Sequence, residues 1–290
     1  MMTIQANRVW DGKATLGEGP FWDETDHMLL WVDIEGYTLH CFNPDTKEDT
    51  TLPFAQHVTA VVKKEGGGLL LAMRDGIYSY SRDRLTPYYL HPDEGKKIRF
   101  NDAKCDPAGR LWAGTMAFDG KSPIGELVVL DTKERITKKI DGLAISNGMA
   151  WDTKQRLFYH NETVTGETTI YRYSNESIDI EKVGIVPINY RTYGGGPDGM
   201  TIDNEGYLWV ALWGAGAVIR VDPITGNVDK KIIVPASNVT SCTFGGQELK
   251  TLYITTAAKE GERESGALFS VELEVGGAPS YPYKPKLLNE

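Results

Sequence analysis

The chain has 290 residues and a formal net charge of −9; 41% of its residues are hydrophobic and 24% are charged. No apolar run approaches the roughly 18 residues that a membrane helix needs. The acidic balance argues against nucleic acid and anionic membrane surfaces as partners, because both are bound through basic patches. The length suits one large all-β domain or two average domains.

The start of the chain, MMTIQANRVWDGKATLGEGP, lacks the basic region followed by an apolar region that marks a signal peptide. Cys41, Cys105 and Cys242 are widely spaced and form no CxxC pair, which suits reduced thiols in a reducing compartment. We therefore expect a cytoplasmic protein.

Strand-like runs rich in Val, Ile, Leu, Trp and Tyr alternate with Gly, Asp and Asn turns along the whole chain, and no long stretch keeps a helical period. Six units align at their turns, beginning with FWDETDHMLLWVDI and ending with CTFGGQELKTLYITT. The aligned turn residues follow one another at intervals of 41 to 51 residues: Asp23, Lys64, Asp106, Asp152, Asp203 and Gly245. A four-stranded propeller blade takes roughly 40 to 50 residues. The repeat predicts an all-β, six-bladed β-propeller that forms a single domain over residues 1–290, with the N-terminal segment QANRVWDGK pairing as the outer strand of the last blade.

Five residues before each of these turn positions, every unit carries a polar side chain: Glu18, Thr59, Asn101, Asn147, Asp198 and Thr240. The innermost strands of a propeller converge on its axis, so equivalent positions should face one another at one mouth of the channel. Two carboxylates and two amides in that ring suit a hard divalent cation such as Ca²⁺. The two threonines are expected to serve in packing or weak hydrogen bonding.

Each candidate also has a simpler interpretation. Asn147-Gly148 and Asp198-Gly199 are common turn dipeptides, Glu18 could be a solvated loop acid, and Asn101 could form an Asx turn. Turn residues should drift with loop length, whereas these positions keep one offset in blades of unequal length, which favours a shared site. The five histidines show no metal-binding spacing, although one of them, His57, could reach the channel mouth.

The motifs LGEGPFW, RFNDAKCDPAGRLWAGTM, ISNGMAWD and PDGMTIDNEGYLWVALWG together resemble the senescence marker protein/gluconolactonase/luciferin-regenerating-enzyme family. The resemblance extends from about Leu16 to Ala258. It implies a six-bladed propeller that binds one divalent metal ion in the central channel and, as in many members, hydrolyses sugar lactones.

The resemblance also assigns roles by motif. Glu18, Asn147 and Asp198 match the metal ligands, which are three of the positions that the repeat selects. Arg99 and Asn101 match substrate-binding residues, and Asn101 also helps to hold the water shell of the metal. Asp119, in GTMAFDG, falls where the family has an acid that binds sugar hydroxyls, although the familiar residue there is Glu.

These assignments predict a metal-dependent lactonase in which the cation polarises the lactone carbonyl and Asp198 is the candidate base. Oxygen ligands suit Ca²⁺ first, with Mg²⁺, Mn²⁺ or Zn²⁺ as alternatives. Two other functions stay open: hydrolysis of another ester or an organophosphate in the same pocket, and calcium binding without turnover.

Overall fold

Six sheets surround a central channel as the blades of a β-propeller in the computed structural model, which describes residues 1–93 and 95–286. Glu94 and residues 287–290 of the predicted domain lie outside the described residues. The first strands of the six blades contact one another in a closed ring, and the fourth strands lie at the periphery. The predicted fold class is therefore confirmed.

Two N-terminal strands precede the blades, β1 (Met2–Gln5) and β2 (Asn7–Trp10). Blades 1 to 3 contain β3 (Gly17–Asp23), β4 (Met28–Asp33), β5 (Thr38–Phe42), β6 (Asp49–Pro53), β7 (Val58–Lys63), β8 (Leu69–Met73), β9 (Gly76–Ser81), β10 (Arg84–Leu90), β11 (Ile98–Cys105), β12 (Leu111–Ala117), β13 (Gly125–Leu130) and β14 (Ile136–Leu143). Blades 4 to 6 contain β15 (Ser146–Asp152), β16 (Leu157–Glu162), β17 (Glu167–Arg172), β18 (Glu181–Ile185), β19 (Gly196–Ile202), β20 (Leu208–Trp213), β21 (Ala217–Val221), β22 (Val228–Ile233), β23 (Val239–Gly245), β24 (Thr251–Thr256) and β25 (Leu268–Glu272).

The N-terminus closes the ring as the sequence predicts, because β2 pairs antiparallel with β25 and supplies the outer strand of blade 6. The structure adds one strand that the repeat did not predict: β1 pairs parallel with β22 and extends blade 5 to five strands. Both pairings cover strand edges that would otherwise expose unpaired backbone groups.

The repeated turn aspartates have a structural role in two blades. Asp106 and Asp203 each accept a hydrogen bond from a tryptophan indole N–H, of Trp112 and Trp209 respectively, at 2.9 Å. The same carboxylates also accept from Arg110 and Arg220. A buried charge needs such partners, so each aspartate fixes its turn against the second strand of its blade.

The C-terminal segment runs across the ends of the inner strands that lie opposite to the polar ring. The backbone N–H groups of Ala278, Tyr283 and Lys284 donate to carbonyls of three blades, each at 2.9 Å. The Tyr283 side chain is fully buried and its hydroxyl donates to the Asp131 carbonyl at 2.8 Å. This segment therefore covers one end of the channel.

Helical structure is sparse in the part of the chain that the structure describes. A 3₁₀ helix at Tyr190–Tyr193 precedes β19, and its Asn189 cap accepts from the Arg191 N–H. Over the same residues, no helix has the length and apolar character needed to cross a bilayer.

Candidate active site

All six ring positions lie on the first strands of their blades, and all six side chains are buried. In each blade the pairing of the first strand with the second shifts register at or beside the ring residue. Such bulges re-aim side chains and are typical of sites next to active centres. The shared offset in the sequence therefore corresponds to a bulge that is repeated in six blades.

The glycines after Asn147 and Asp198 serve close packing between blades. Neither Gly148 nor Gly199 has a positive φ, and both lie inside strands. A Cβ on Gly148 would lie 2.6 Å from Asn161 Nδ2, and one on Gly199 would overlap the Ser241 side chain. The turn-dipeptide interpretation is therefore wrong for both pairs, since the glycines allow neighbouring blades to approach closely at the channel.

The Asn147 amide is oriented by its neighbour Thr163. Asn147 Nδ2 donates to Thr163 Oγ1 at 3.1 Å, and that hydroxyl donates to the Pro197 carbonyl at 2.8 Å. Asn147 Oδ1 is left buried with no hydrogen-bond partner among the described residues. This arrangement leaves one amide oxygen available as a ligand.

Asp198 and Glu18 are buried carboxyl groups that disfavour each other's charge. Burial raises the pKa of Glu18 to about 8, and the nearby Asp102 acts in the same direction. Burial also raises the pKa of Asp198 well above its usual range, and the charges of Glu18 and Asp102 add to the shift. Asp198 Oδ1 is buried and lacks a partner within the described residues.

Arg99 and Asn101 are joined by a hydrogen bond. Arg99 Nη1 donates to Asn101 Oδ1 at 2.8 Å and to the Phe100 carbonyl at 2.9 Å. Asn101 Nδ2 donates to the Ser146 carbonyl of the next blade at 2.9 Å. Two of the three predicted substrate residues, Arg99 and Asn101, are thus held together on β11. The inner strand of the next blade, β15, carries Asn147.

The third, Asp119, lies apart from them on an exposed turn after β12. Its carboxylate accepts from the Lys121 and Ser122 N–H groups at 2.8 Å and from the Ser122 hydroxyl at 2.5 Å. These bonds lower the pKa of Asp119 to about 2, with the Ser122 hydroxyl as the largest cause. The structure thus places it as a charged turn residue, and its role toward substrate stays a prediction.

Sequence reasoning missed two charged groups of the channel, Asp102 and Lys104. Burial raises the pKa of Asp102 and lowers that of Lys104, while each opposes the shift of the other. Lys104 Nζ donates to the Met200 carbonyl at 2.7 Å. One signal was available, since Asp102 directly follows Asn101 in RFNDAK and a bulge lets adjacent residues of one strand both turn inward.

The residues present fit a divalent cation. Glu18, Asn147 and Asp198 offer oxygen ligands, and Asn147 Oδ1 and Asp198 Oδ1 are buried without a hydrogen-bond donor among the described residues. Burial raises the pKa of both carboxyl groups, so a nearby cation would stabilise their charged forms. Over residues 1–93 and 95–286, no three His, Cys, Asp or Glu side chains are grouped closely enough to hold a metal on their own.

A family model described as the SMP-30/Gluconolactonase/LRE-like region matches residues 16–258. The chain belongs to this family. The match covers the predicted extent of the resemblance and includes blades 1 to 4 in full, blade 5 except β1, and the two inner strands of blade 6. The family predicted from the four sequence motifs is thus confirmed.

Among relatives in this family, the chain is similar to the sugar lactone lactonase YvrE of Bacillus subtilis (strain 168), with 42% identity over 94% of this chain and 96% of that protein. It is also 35% identical to the pentonolactonase XacC of Haloferax volcanii, over 97% of this chain and 98% of that protein. The solved regucalcin of Agrobacterium tumefaciens str. C58, described as a calcium-binding protein, shares the fold with a TM-score of 0.89 and 24% identity, over 99% of both chains.

Proposed function

We propose that this protein opens sugar lactones, aldonolactones such as gluconolactone, to the corresponding aldonic acids with the help of one divalent metal ion. The lactonase class is confirmed by the relatives named as lactonases. The observation that carries the finer proposal is the pair of buried, unpartnered oxygens on Asn147 and Asp198, beside the fixed Arg99–Asn101 pair.

Glu18, Asn147 and Asp198 would hold the metal. We propose Ca²⁺ as the first choice because all donors are hard oxygens, with Mg²⁺, Mn²⁺ or Zn²⁺ as alternatives. When bound, the ion supplies Lewis acidity toward the lactone carbonyl and neutralises the repulsion between the two carboxylates.

Asp198 is the proposed base. Water attacks the lactone carbonyl carbon while Asp198 takes one of its protons. The bond between that carbon and the ring oxygen then breaks, and Asp198 returns the proton to the ring oxygen, which leaves as an alcohol. One oxygen of the Asp198 carboxylate would serve the metal, and the other would take the proton. Burial and the charges of Glu18 and Asp102 raise the pKa of Asp198, whereas a bound cation would lower it, so the proposed role of Asp198 depends on its position more than on its basicity.

Arg99 and Asn101 orient the substrate in this proposal. Arg99 Nη1 is tied to Asn101 Oδ1, so the direction of the guanidinium is fixed before substrate binds. Asp119 would bind sugar hydroxyls by exchanging its bond to the Ser122 hydroxyl for one to substrate. We propose the cytoplasm as the location and small-molecule lactones, with neither nucleic acid nor membrane, as the partners.

The test is a hydrolysis assay with a pH indicator, in which chelated protein is supplied with one divalent metal at a time. Aldonolactones are compared with aryl esters and phosphotriesters. We expect acid release from aldonolactones that stops on chelation and returns with added metal. Preference for aryl esters or phosphotriesters would favour the alternative hydrolases, and metal binding without any turnover would favour a non-enzymatic calcium-binding protein.

A further inference from the structure

Three aromatic side chains form a contact cluster at the mouth of the channel, which we name the aromatic rim: Tyr37, His57 and Phe118. The Tyr37 and His57 rings meet edge to face with centroids 4.9 Å apart, and the His57 and Phe118 rings are 6.3 Å apart. Tyr37 and Phe118 are 39% and 43% exposed, whereas His57 is buried. The outer faces of the two larger rings are therefore open to a ligand.

The rim lies at the same end of the propeller as the polar ring. His57 immediately precedes β7, while Tyr37 and Phe118 lie in connections from second to third strands, which return to the end where the inner strands start. Arg99 is close enough for its charge to act on His57: burial is the main cause that lowers the pKa of His57, and Arg99 adds to it. The rim is thus beside the residues that we propose to orient the substrate.

Tyr37 occupies a backbone conformation that disfavours it. Its φ is 56°, in the left-handed region, at the last position of the four-residue turn between β4 and β5. The corresponding turn of blade 4 has Gly166 there, with a φ of 74°. A side chain is disfavoured in this region, so glycine could replace Tyr37 without backbone strain.

The remaining groups hold the rings in place. Glu35 Oε2 is 3.3 Å from His57 Nε2, which favours a proton on that nitrogen. The Arg74 guanidinium lies over the Phe118 ring at 5.1 Å from its centroid, and Arg74 Nε donates to the Gly95 carbonyl at 2.9 Å. Phe118 is therefore supported from one side, and it directly precedes Asp119 in the chain.

From this geometry we propose that the aromatic rim is a substrate subsite of the lactonase. The Tyr37 and Phe118 rings pack against the C–H face of a sugar lactone and its exocyclic carbon, while His57 is a positioning residue that keeps the two rings apart at a fixed distance. This inference rests on the proposed function. The rim would determine specificity for lactones that carry substituents on the ring, because these substituents would extend from the carbonyl toward the mouth of the channel.

The experiment compares δ-gluconolactone with δ-valerolactone, which has the same ring without hydroxyls or an exocyclic carbon. Tyr37→Gly and Phe118→Leu remove a ring face, Phe118→Tyr keeps it, and Ile224→Ser is the control on an exposed site of the opposite face. We expect Tyr37→Gly and Phe118→Leu to raise KM for δ-gluconolactone about fivefold and to leave KM for δ-valerolactone within about twofold. Phe118→Tyr and Ile224→Ser should behave as the wild type.

Thermal unfolding separates this role from a structural one. Tyr37→Gly should melt at the same or a higher temperature while its KM rises, because glycine relieves the left-handed conformation. Unchanged KM for δ-gluconolactone in both ring-removing variants would overturn the subsite while leaving the lactonase intact. Absence of hydrolysis by the wild type with every metal tried would overturn the proposed function and the subsite with it.

Discussion

Asn147 and Asp198 occupy equivalent positions on the inner strands of neighbouring blades, and each buries an Oδ1 that receives no hydrogen bond from the described residues. Leaving one buried acceptor unpaired costs roughly 1 to 3 kcal/mol. The strands are held close enough for this only because Gly148 and Gly199 lack side chains. We propose that a divalent cation, held with the help of these two oxygens, offsets this cost.

Thr163 should control metal affinity without touching the metal. Thr163→Val removes the acceptor of the Asn147 amide, so the amide can rotate and present Nδ2 to the channel. We expect the dissociation constant for Ca²⁺ to rise about 10- to 100-fold, as for other residues that orient metal ligands. Calorimetric titration of the chelated protein measures this. Thr163→Ser keeps the hydroxyl and is the matched control; equal affinity in the valine variant would remove Thr163 from this role.

Gly199→Ala should destabilise the fold. The added methyl group would overlap the Ser241 side chain, and overpacking of this kind costs about 1 to 3 kcal/mol. Urea unfolding gives the difference in the free energy of unfolding. Gly199→Ala combined with Ser241→Gly should recover part of the loss, because it removes the overlapped atoms. A double variant as unstable as the sum of the two single variants would show that the contact is not the cause.

His160 should make the protein sensitive to acid. Burial lowers the pKa of His160 to about 4, and its Nε2 lies 2.8 Å from the Ser146 hydroxyl. In the unfolded chain a histidine titrates near 6.5, so as the pH falls the unfolded state takes up the proton first. The stability contributed by neutral His160 is thus complete above about pH 6.5 and is lost as the pH falls to about 4, which amounts to about 3 kcal/mol at most.

Urea unfolding at several pH values between 7 and 4 checks this prediction. We expect the free energy of unfolding of the wild type to fall more steeply with acid than that of His160→Gln. His27→Gln, at an exposed histidine, is the control and should follow the wild type. Parallel curves for the wild type and His160→Gln would contradict the assignment.

The fold and the ring of polar residues could be predicted from the sequence because both repeat in every blade. One polar residue at a constant offset could be found in each unit, and the structure places all six on inner strands. The partners of these residues do not repeat. Thr163 orients Asn147 from a connection between strands, and no spacing in the sequence connects the two residues.

The β-bulges and the charged neighbours of the ring residues could not be predicted from the sequence either. Asp102 turns into the channel because β11 shifts register between Phe100 and Ala103, and a bulge depends on the pairing of two strands. The left-handed backbone of Tyr37 is likewise a property of a folded turn. The motifs of the resemblance named Asp119, but they could not show that its carboxylate is occupied by Ser122.

We propose above that Glu18, Asn147 and Asp198 hold a divalent metal ion. The most direct test of this proposal is calorimetric titration of Ca²⁺ into chelated wild-type protein and into Asp198→Asn, which keeps the shape of the side chain and removes its charge. We expect one binding site per chain in the wild type and binding weaker by roughly 100-fold or more in the variant, since a charged ligand is lost. No binding by the wild type, or equal affinity in Asp198→Asn, would contradict it.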